Sequence, residues 1–255
     1  MVTQACEPLI RVEDLTIAYG EMVVLHDISF EVRRGEVFII LGGSGCGKST
    51  LLKHMIGLYQ PVRGRVLIDG QDIAAAEGPD LTAILRRIGV MYQQGALFGS
   101  MSLLENMRLV LSEFTDLPLK AMDRIARMKL KVVGLSGSED QMPSELSGGM
   151  RKRAAIARAM AIDPEVLFLD EPSAGLDPVT SAQLDELILK LSKALHVTFV
   201  IVSHELPSIY AVADRVIMLD KESKTIVAAG DPKDLRDHSD DPKVRQVFNR
   251  SAHSE

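Results

Sequence analysis

An α/β fold, built on a mainly parallel sheet with helices on both faces, is predicted for these 255 residues by three observations. Continuous apolar runs at 37–41, 166–169 and 197–202 alternate with helical segments, the pattern of strands buried on both sides. The first of these runs passes into the glycine-rich stretch Gly42-Gly43-Ser44-Gly45-Cys46-Gly47-Lys48-Ser49-Thr50, which opens into a helix. The second ends in two carboxylates, Asp170 and Glu171, at the strand edge where open α/β sheets bind ligands.

In chain order, strands are expected at 9–18 and 22–32, with Gly20 and Arg34-Gly35 as turns, and together they make a small antiparallel β layer. A strand follows at 37–41, then the glycine-rich loop and its helix. Residues 64–70 read as a short strand, 81–87 as a helical piece and 88–92 as a strand. From about 97 to 160 apolar residues recur at helical spacing, broken at Pro118, Gly134 and Pro143, which predicts an inserted α-helical subdomain. The core resumes with a strand at 166–169, a helix at 178–195, a strand at 197–202, a helix at 206–213 and a strand pair at 215–219 and 225–228. The reading is one domain. Its core covers about 1–93 and 161–230, its helical subdomain about 94–160, and its polar tail 231–255. The tail carries an amphipathic piece around Val244, Val247 and Phe248, expected to dock on its own domain or on a second copy.

Hydrophobic content of 46% supports a full core. The formal charge of −6, with no basic tail or aromatic-interleaved basic stripe, argues against nucleic acid as the main partner. No apolar run approaches the ~20 residues that cross a bilayer, so any work at a membrane borrows its span from another chain. The opening MVTQACEPLI lacks a basic segment followed by an apolar one, so no secretory signal is expected. Cys6 and Cys46 lie in a terminal segment and in the loop, which predicts no disulfide and a reducing, cytosolic compartment.

The loop fits GxxxxGK[ST]. Its glycines let successive N–H groups curl around a polyphosphate, and the helix N-terminus adds positive potential. Lys48 would reach the β- and γ-phosphates and the Ser49 hydroxyl would ligate Mg²⁺. Asp170 would hold Mg²⁺ directly or through water, and Glu171 would act as general base toward the attacking water. Cys46 reads as a spacer whose alkylation inhibits, with ATP protecting. A third signal is Leu146-Ser147-Gly148-Gly149-Met150, followed by the helical run Arg151-Lys152-Arg153 and beyond, with Ser147 placed as its cap. Three cations in a helix's first turns oppose its dipole, and an anion near that end would relieve the conflict. One chain then holds two γ-phosphate sites but parts for one nucleotide, so two copies are expected to face each other.

With these residues in hand, the chain resembles an ABC-type ATPase subunit over most of its length. That resemblance implies an adenine-stacking aromatic at Tyr19 and a glutamine at Gln93 that contacts Mg²⁺ or water. It also implies a signature loop, Ser147, Gly148 and Gly149, acting on the nucleotide of the opposite protomer. Asp177 would stand in a loop crossing the dimer interface, and His204 would sense the γ-phosphate. Met150 stands where the commoner signature has glutamine. LSGGMRKRAAIARA, YQQGALFGSMSLLEN and DDPKVRQVFNR are similar to the Mla/Mce-associated, MlaF-like ATPases of bacterial lipid trafficking. The resemblance implies ATP and Mg²⁺ as ligands and a homodimer beneath an integral membrane permease of MlaE-like kind, with an Mce-domain lipid-binding protein beyond it. The chain would then sit peripherally on the cytoplasmic face of the inner membrane, with residues from Gln93 through Glu105 forming a groove for a permease helix. A solute importer for amino acids or metals, or a soluble non-transport ABC protein, are the alternative readings.

Overall fold

The computed structural model describes residues 8–249; Cys6 and the tail beyond Asn249 lie outside the described residues. The chain begins with β1 (Ile10–Tyr19), β2 (Met22–Val32) and β3 (Val37–Gly42), and the glycine-rich loop joins β3 to α1 (Lys48–Met55). Next come β4 (Arg63–Ile68), β5 (Gln71–Asp72), α2 (Gly78–Leu85) and β6 (Ile88–Met91). The helical insertion is α3 (Leu103–Phe114), α4 (Leu119–Val132), a 3-10 turn at Pro143–Glu145 and α5 (Gly148–Ala159). The core is then rebuilt by β7 (Val166–Asp170), α6 (Pro178–Leu195), β8 (Thr198–Val202), α7 (Leu206–Val212), β9 (Arg215–Leu219) and β10 (Ile226–Gly230). The last elements are α8 (Pro232–His238) and α9 (Pro242–Asn249).

Four strands in the order β2-β1-β4-β5 form an antiparallel layer, and six in the order β10-β9-β3-β8-β7-β6 form the main sheet. The five from β9 to β6 run parallel, and only the β10 edge is antiparallel. Side chains of the main sheet alternate between two apolar clusters, as the two-residue period of a strand requires. Val37, Ile39 and Leu41 join Leu167, Leu169, Phe199 and Ile201 beneath the helices of the insertion and of α6 and α7. Phe38 and Ile40 join Phe168, Val200 and Val202 against α1 and the antiparallel layer.

Helix α5 is less detached than an insertion suggests. Its Ala154, Ala155, Ile156 and Ala157 are buried in the same cluster as the sheet. A Cβ on Gly89 of β6 would stand 2.1 Å from the Ala159 carbonyl oxygen, so only glycine lets helix and strand approach this closely. Sequence periodicity did not reveal two short elements: β5, of two residues, and α8, whose start is capped by Asp231 Oδ1 accepting from the Lys233 and Asp234 N–H groups at 2.7 and 3.3 Å. In the tail, Val244 and Phe248 are buried and the Tyr210 hydroxyl donates to the Phe248 carbonyl at 2.7 Å. The amphipathic face of the tail is therefore used on its own domain.

Candidate active site

Four adjacent strands deliver the candidate residues to one edge. In sheet order, β3 ends at Gly42, β8 leads to His204, β7 ends at Asp170 and leads to Glu171, and β6 leads to Gln93. Because these strands are parallel, their C-terminal ends open on the same side, and residues 162 positions apart in sequence can line one cavity. That cavity, of about 520 Å³, is lined by Gly42, Gly43, Ser44, Gly45, Gly47, Lys48, Ser49, Thr50, Gln93, Glu171 and His204.

The loop needs its glycines at two places for different reasons. At Gly47, φ is 98° and a Cβ would lie 3.1 Å from Leu25 Cδ1, so both conformation and space favour glycine. At Gly42 a Cβ would lie 2.6 Å from the Leu219 carbonyl oxygen. Lys48 folds over its own loop, Nζ donating to the Gly42 and Gly43 carbonyls at 2.8 and 3.0 Å. The Ser49 hydroxyl donates to Asp170 Oδ1 at 3.0 Å. Cys46 is 3% exposed and belongs to the apolar cluster under the loop, so only its backbone remains for a ligand. Burial pushes its thiol pKa up, against the pull of Lys48. The thiol thus packs under the loop, and Cys46 is not among the residues that line the cavity.

Glu171 has a left-handed backbone, φ 47°, and its N–H donates to the Val202 carbonyl at 2.9 Å. This turns the residue off the end of β7 toward the cavity. Its Oε1 stands 2.8 Å from His204 Nδ1, while its buried Oε2 has no hydrogen-bond partner among the described residues. A buried carboxylate oxygen without a donor is costly, and it supplies an acceptor for a proton arriving from the cavity. Tyr19 ends β1, is 49% exposed, and meets the Tyr59 ring edge-to-face at 6.4 Å; it does not line this cavity.

The Ser-Gly-Gly residues stand elsewhere. Ser147 caps α5, accepting from the Met150 N–H at 3.2 Å, as the sequence predicts. Gly148 lines a separate cavity of about 650 Å³, together with Gln93, Arg151, Lys152 and Gly175. Gly149 is pressed against α6, where a Cβ would meet Thr180 Cγ2 at 2.4 Å. Asp177 caps α6: Oδ1 accepts from the Val179 and Thr180 N–H groups at 3.1 and 3.0 Å, and Oδ2 from the Thr180 hydroxyl at 2.5 Å. Those bonds, that of the Thr180 hydroxyl foremost, hold its carboxyl below the usual range. Neither Lys48 nor Ser49 lines the cavity of Gly148, so a single chain does not bring loop and signature together.

The three cations in the first turns of α5 stand in different surroundings. Arg153 donates to Gln183 Oε1 at 2.9 Å, Arg151 lines the signature cavity, and Lys152 is buried on backbone carbonyls of this same chain. Lys152 was missed as a site residue. The only trace in the sequence is its place in a basic run whose members the helical turn then sorts to different environments.

A phosphate loop between a parallel strand and a helix, with a carboxylate-bearing strand two positions away in the same sheet, defines a nucleotide-binding ATPase of the phosphate-loop class. The family described as ABC transporter matches residues 25–174, and the chain belongs to that family as an ABC-type ATPase. It is 40% identical over 245 residues to the intermembrane phospholipid transport system ATP-binding protein MlaF of Escherichia coli, covering 96% of this chain and 90% of that one. It is 42% identical over 240 residues to the probable ribonucleotide transport ATP-binding protein mkl of Mycobacterium leprae, covering 94% of this chain and 68% of the longer relative. Among solved structures, a dimeric ATP-binding cassette in a post-hydrolysis state bound to ADP and Pi matches with a TM-score of 0.78 at 30% identity, over 87% of this chain and 98% of that one. The cbiO1 subunit of a Clostridium perfringens ABC transporter complex matches with a TM-score of 0.82 at 30% identity, over 96% of each chain.

Proposed function

We propose that this ATPase is the motor of a membrane transporter that moves phospholipid or a related hydrophobic molecule between bacterial membranes. The observation that carries the mechanism is the separation of two half-sites: the phosphate loop, Glu171 and His204 line one cavity, while Gly148 of the signature lines another. A second copy, presenting Ser147, Gly148 and Gly149 to the nucleotide held by Lys48, completes each site. ATP binding draws the two copies together. Within each site the backbone of Gly43 to Ser49 and the Lys48 ammonium hold the phosphates, Tyr19 stacks on adenine, Glu171 accepts the proton of the attacking water and His204 senses the γ-phosphate. Asp177 lies at the junction between copies.

The oxygen groups of Ser49, Asp170 and Gln93 suit Mg²⁺, a hard cation that prefers few protein ligands and completes its shell with phosphates and water. The 3.0 Å contact of Ser49 with Asp170 already gathers two of those oxygens at the loop. When bound, the ion neutralises phosphate charge.

The MlaF likeness supports phospholipid as cargo. The partners in this reading are an MlaE-like permease and an Mce-domain lipid-binding protein. Among the described residues no helix is long and apolar enough to cross a membrane. In this reading the permease supplies the span and this chain works on its cytoplasmic face. A groove of about 400 Å³ whose lining includes Ile56, Leu58, Leu81, Leu85, Val110 and Phe114 is apolar, as a seat for a permease helix would be. The test is to trap the complex with Glu171→Gln, isolate it from membranes and identify the bound proteins and lipids by mass spectrometry. A permease carrying phospholipid supports the reading, and a permease with an amino-acid or metal-binding subunit overturns it.

A further inference from the structure

Lys152 is 8% exposed and makes no ion pair within 4.0 Å among the described residues. Burying an ammonium is strongly unfavourable unless its N–H groups are satisfied. Here they are satisfied by backbone: Nζ donates to the Gln93 carbonyl at 2.5 Å and to the Glu171 carbonyl at 3.2 Å. Gln93 follows β6 and Glu171 follows β7, and these strands are neighbours in register. One side chain rooted in the first turns of α5 therefore bridges the ends of two strands. Further along the helix, Arg158 Nη1 donates to the Ala96 carbonyl at 2.5 Å, so the segment after β6 is bonded to α5 at two points.

The lysine also meets a strained partner. Glu171 holds its left-handed φ of 47° with its N–H on Val202 and its carbonyl on Lys152, and a non-glycine residue stays in that region only where its surroundings hold it. An ammonium presents three donors on a long stem and can serve two divergent carbonyls at once. Burial lowers its pKa, with the charges of Glu171 and Asp170 acting in the opposite direction.

We propose that Lys152 is a positioning residue for hydrolysis: it ties the Glu171 backbone and the Gln93 segment to the signature helix, and so holds the base in place at the end of β7. This rests on the reading of Glu171 as general base.

The test compares Lys152→Met, Lys152→Arg, Glu171→Gln and the double variant Lys152→Met/Glu171→Gln in the full chain. Single-turnover ATP hydrolysis and the affinity for a fluorescent ATP analogue are measured for each. Lys152→Met should slow hydrolysis by up to about 10²-fold, the loss expected when a catalytic group is misplaced by an ångström, with nucleotide affinity unchanged. Lys152→Arg should recover most of the rate. Because Lys152 acts through Glu171, the double variant should be no slower than Glu171→Gln alone. If Lys152→Met does not fold, Lys152→Gln, which keeps an amide donor, should show a smaller loss with the same non-additivity. An additive loss, or reduced nucleotide affinity with no arginine rescue, overturns the proposal and leaves Lys152 a packing residue. Full hydrolysis by Lys152→Met beside an inactive Glu171→Gln also overturns it while sparing the base. Normal hydrolysis by Glu171→Gln removes the base reading and the proposal with it.

Discussion

His204 Nδ1 and Glu171 Oε1, from residues 33 positions apart, stand 2.8 Å from each other across the ends of two adjacent strands. The histidine side chain is 58% exposed to the cavity and the carboxylate only 10%, so the pair presents one buried acceptor and one exposed ring to whatever the loop holds. In the proposed mechanism the carboxylate of this pair takes the proton of water and the ring senses the γ-phosphate.

Replacing Glu171 with Gln preserves shape and removes the carboxylate proposed as the base. ATP binding should persist, turnover should fall by about 10²- to 10⁴-fold, the usual span for a general base, and the closed dimer should accumulate. ATPase assays and gel filtration with ATP check this. Wild-type turnover would remove Glu171 from its assigned role.

Two half-sites in separate cavities should complement each other. A Lys48→Ala chain and a Ser147→Ala chain, each inactive alone, should regain hydrolysis on mixing, because one heterodimer site combines an intact loop with an intact signature. Mixtures that associate yet stay inactive would show that the site is not divided.

The raised thiol pKa of Cys46 makes a distinct prediction in a Cys6→Ser background, which leaves one thiol in the chain. Thiolate is the reactive species, so iodoacetamide should label Cys46 more slowly than a free cysteine at each pH, and faster as pH rises toward the elevated pKa. The sign for stability follows. The unfolded thiol loses its proton at lower pH than the folded one, so this group lowers stability as pH climbs past the unfolded pKa. ATP should slow labelling further by suppressing opening of the loop. Labelling as fast as free cysteine would contradict the buried position.

Gly149→Ala would drive a methyl into Thr180 Cγ2, 2.4 Å from the ideal Cβ, and overpacking of this kind costs about 1–3 kcal/mol. Adding Thr180→Ser removes that methyl and keeps the hydroxyl that bonds Asp177. The double variant should regain much of the lost thermal stability, measured by calorimetry. No recovery would mean that the glycine is needed for another reason.

Phe248, 2% exposed and held with Tyr210, ties α9 to its own domain. Phe248→Ala should cost about 3 kcal/mol, the low end for a buried phenylalanine, and lower the Tm. ATP-driven dimerisation of the Glu171→Gln background should be unchanged. Loss of dimerisation at unaltered Tm would move the tail to the interface between copies.

The element boundaries follow the amino-acid order closely wherever a signal is local. β2 and α6 run over the ranges that turn glycines, the Asp177-Pro178 start and apolar spacing predict, and Ser147 caps α5 because an N-cap needs only its next few neighbours. The phosphate loop is equally legible, since glycine freedom and a following helix are properties of consecutive residues. Side-chain partnerships across the sheet were not. Nothing in the run Arg151-Lys152-Arg153 says which cation turns inward, and nothing beside Cys46 says that its thiol packs under the loop. Those outcomes depend on which strands lie side by side, β3 with β8 and β8 with β7, and strand order is decided by the burial of two opposed apolar faces at once. Local chemistry was written in the order of the residues; the pairing of distant residues came only from packing, because free energies of contact between remote segments leave no periodic mark along the chain.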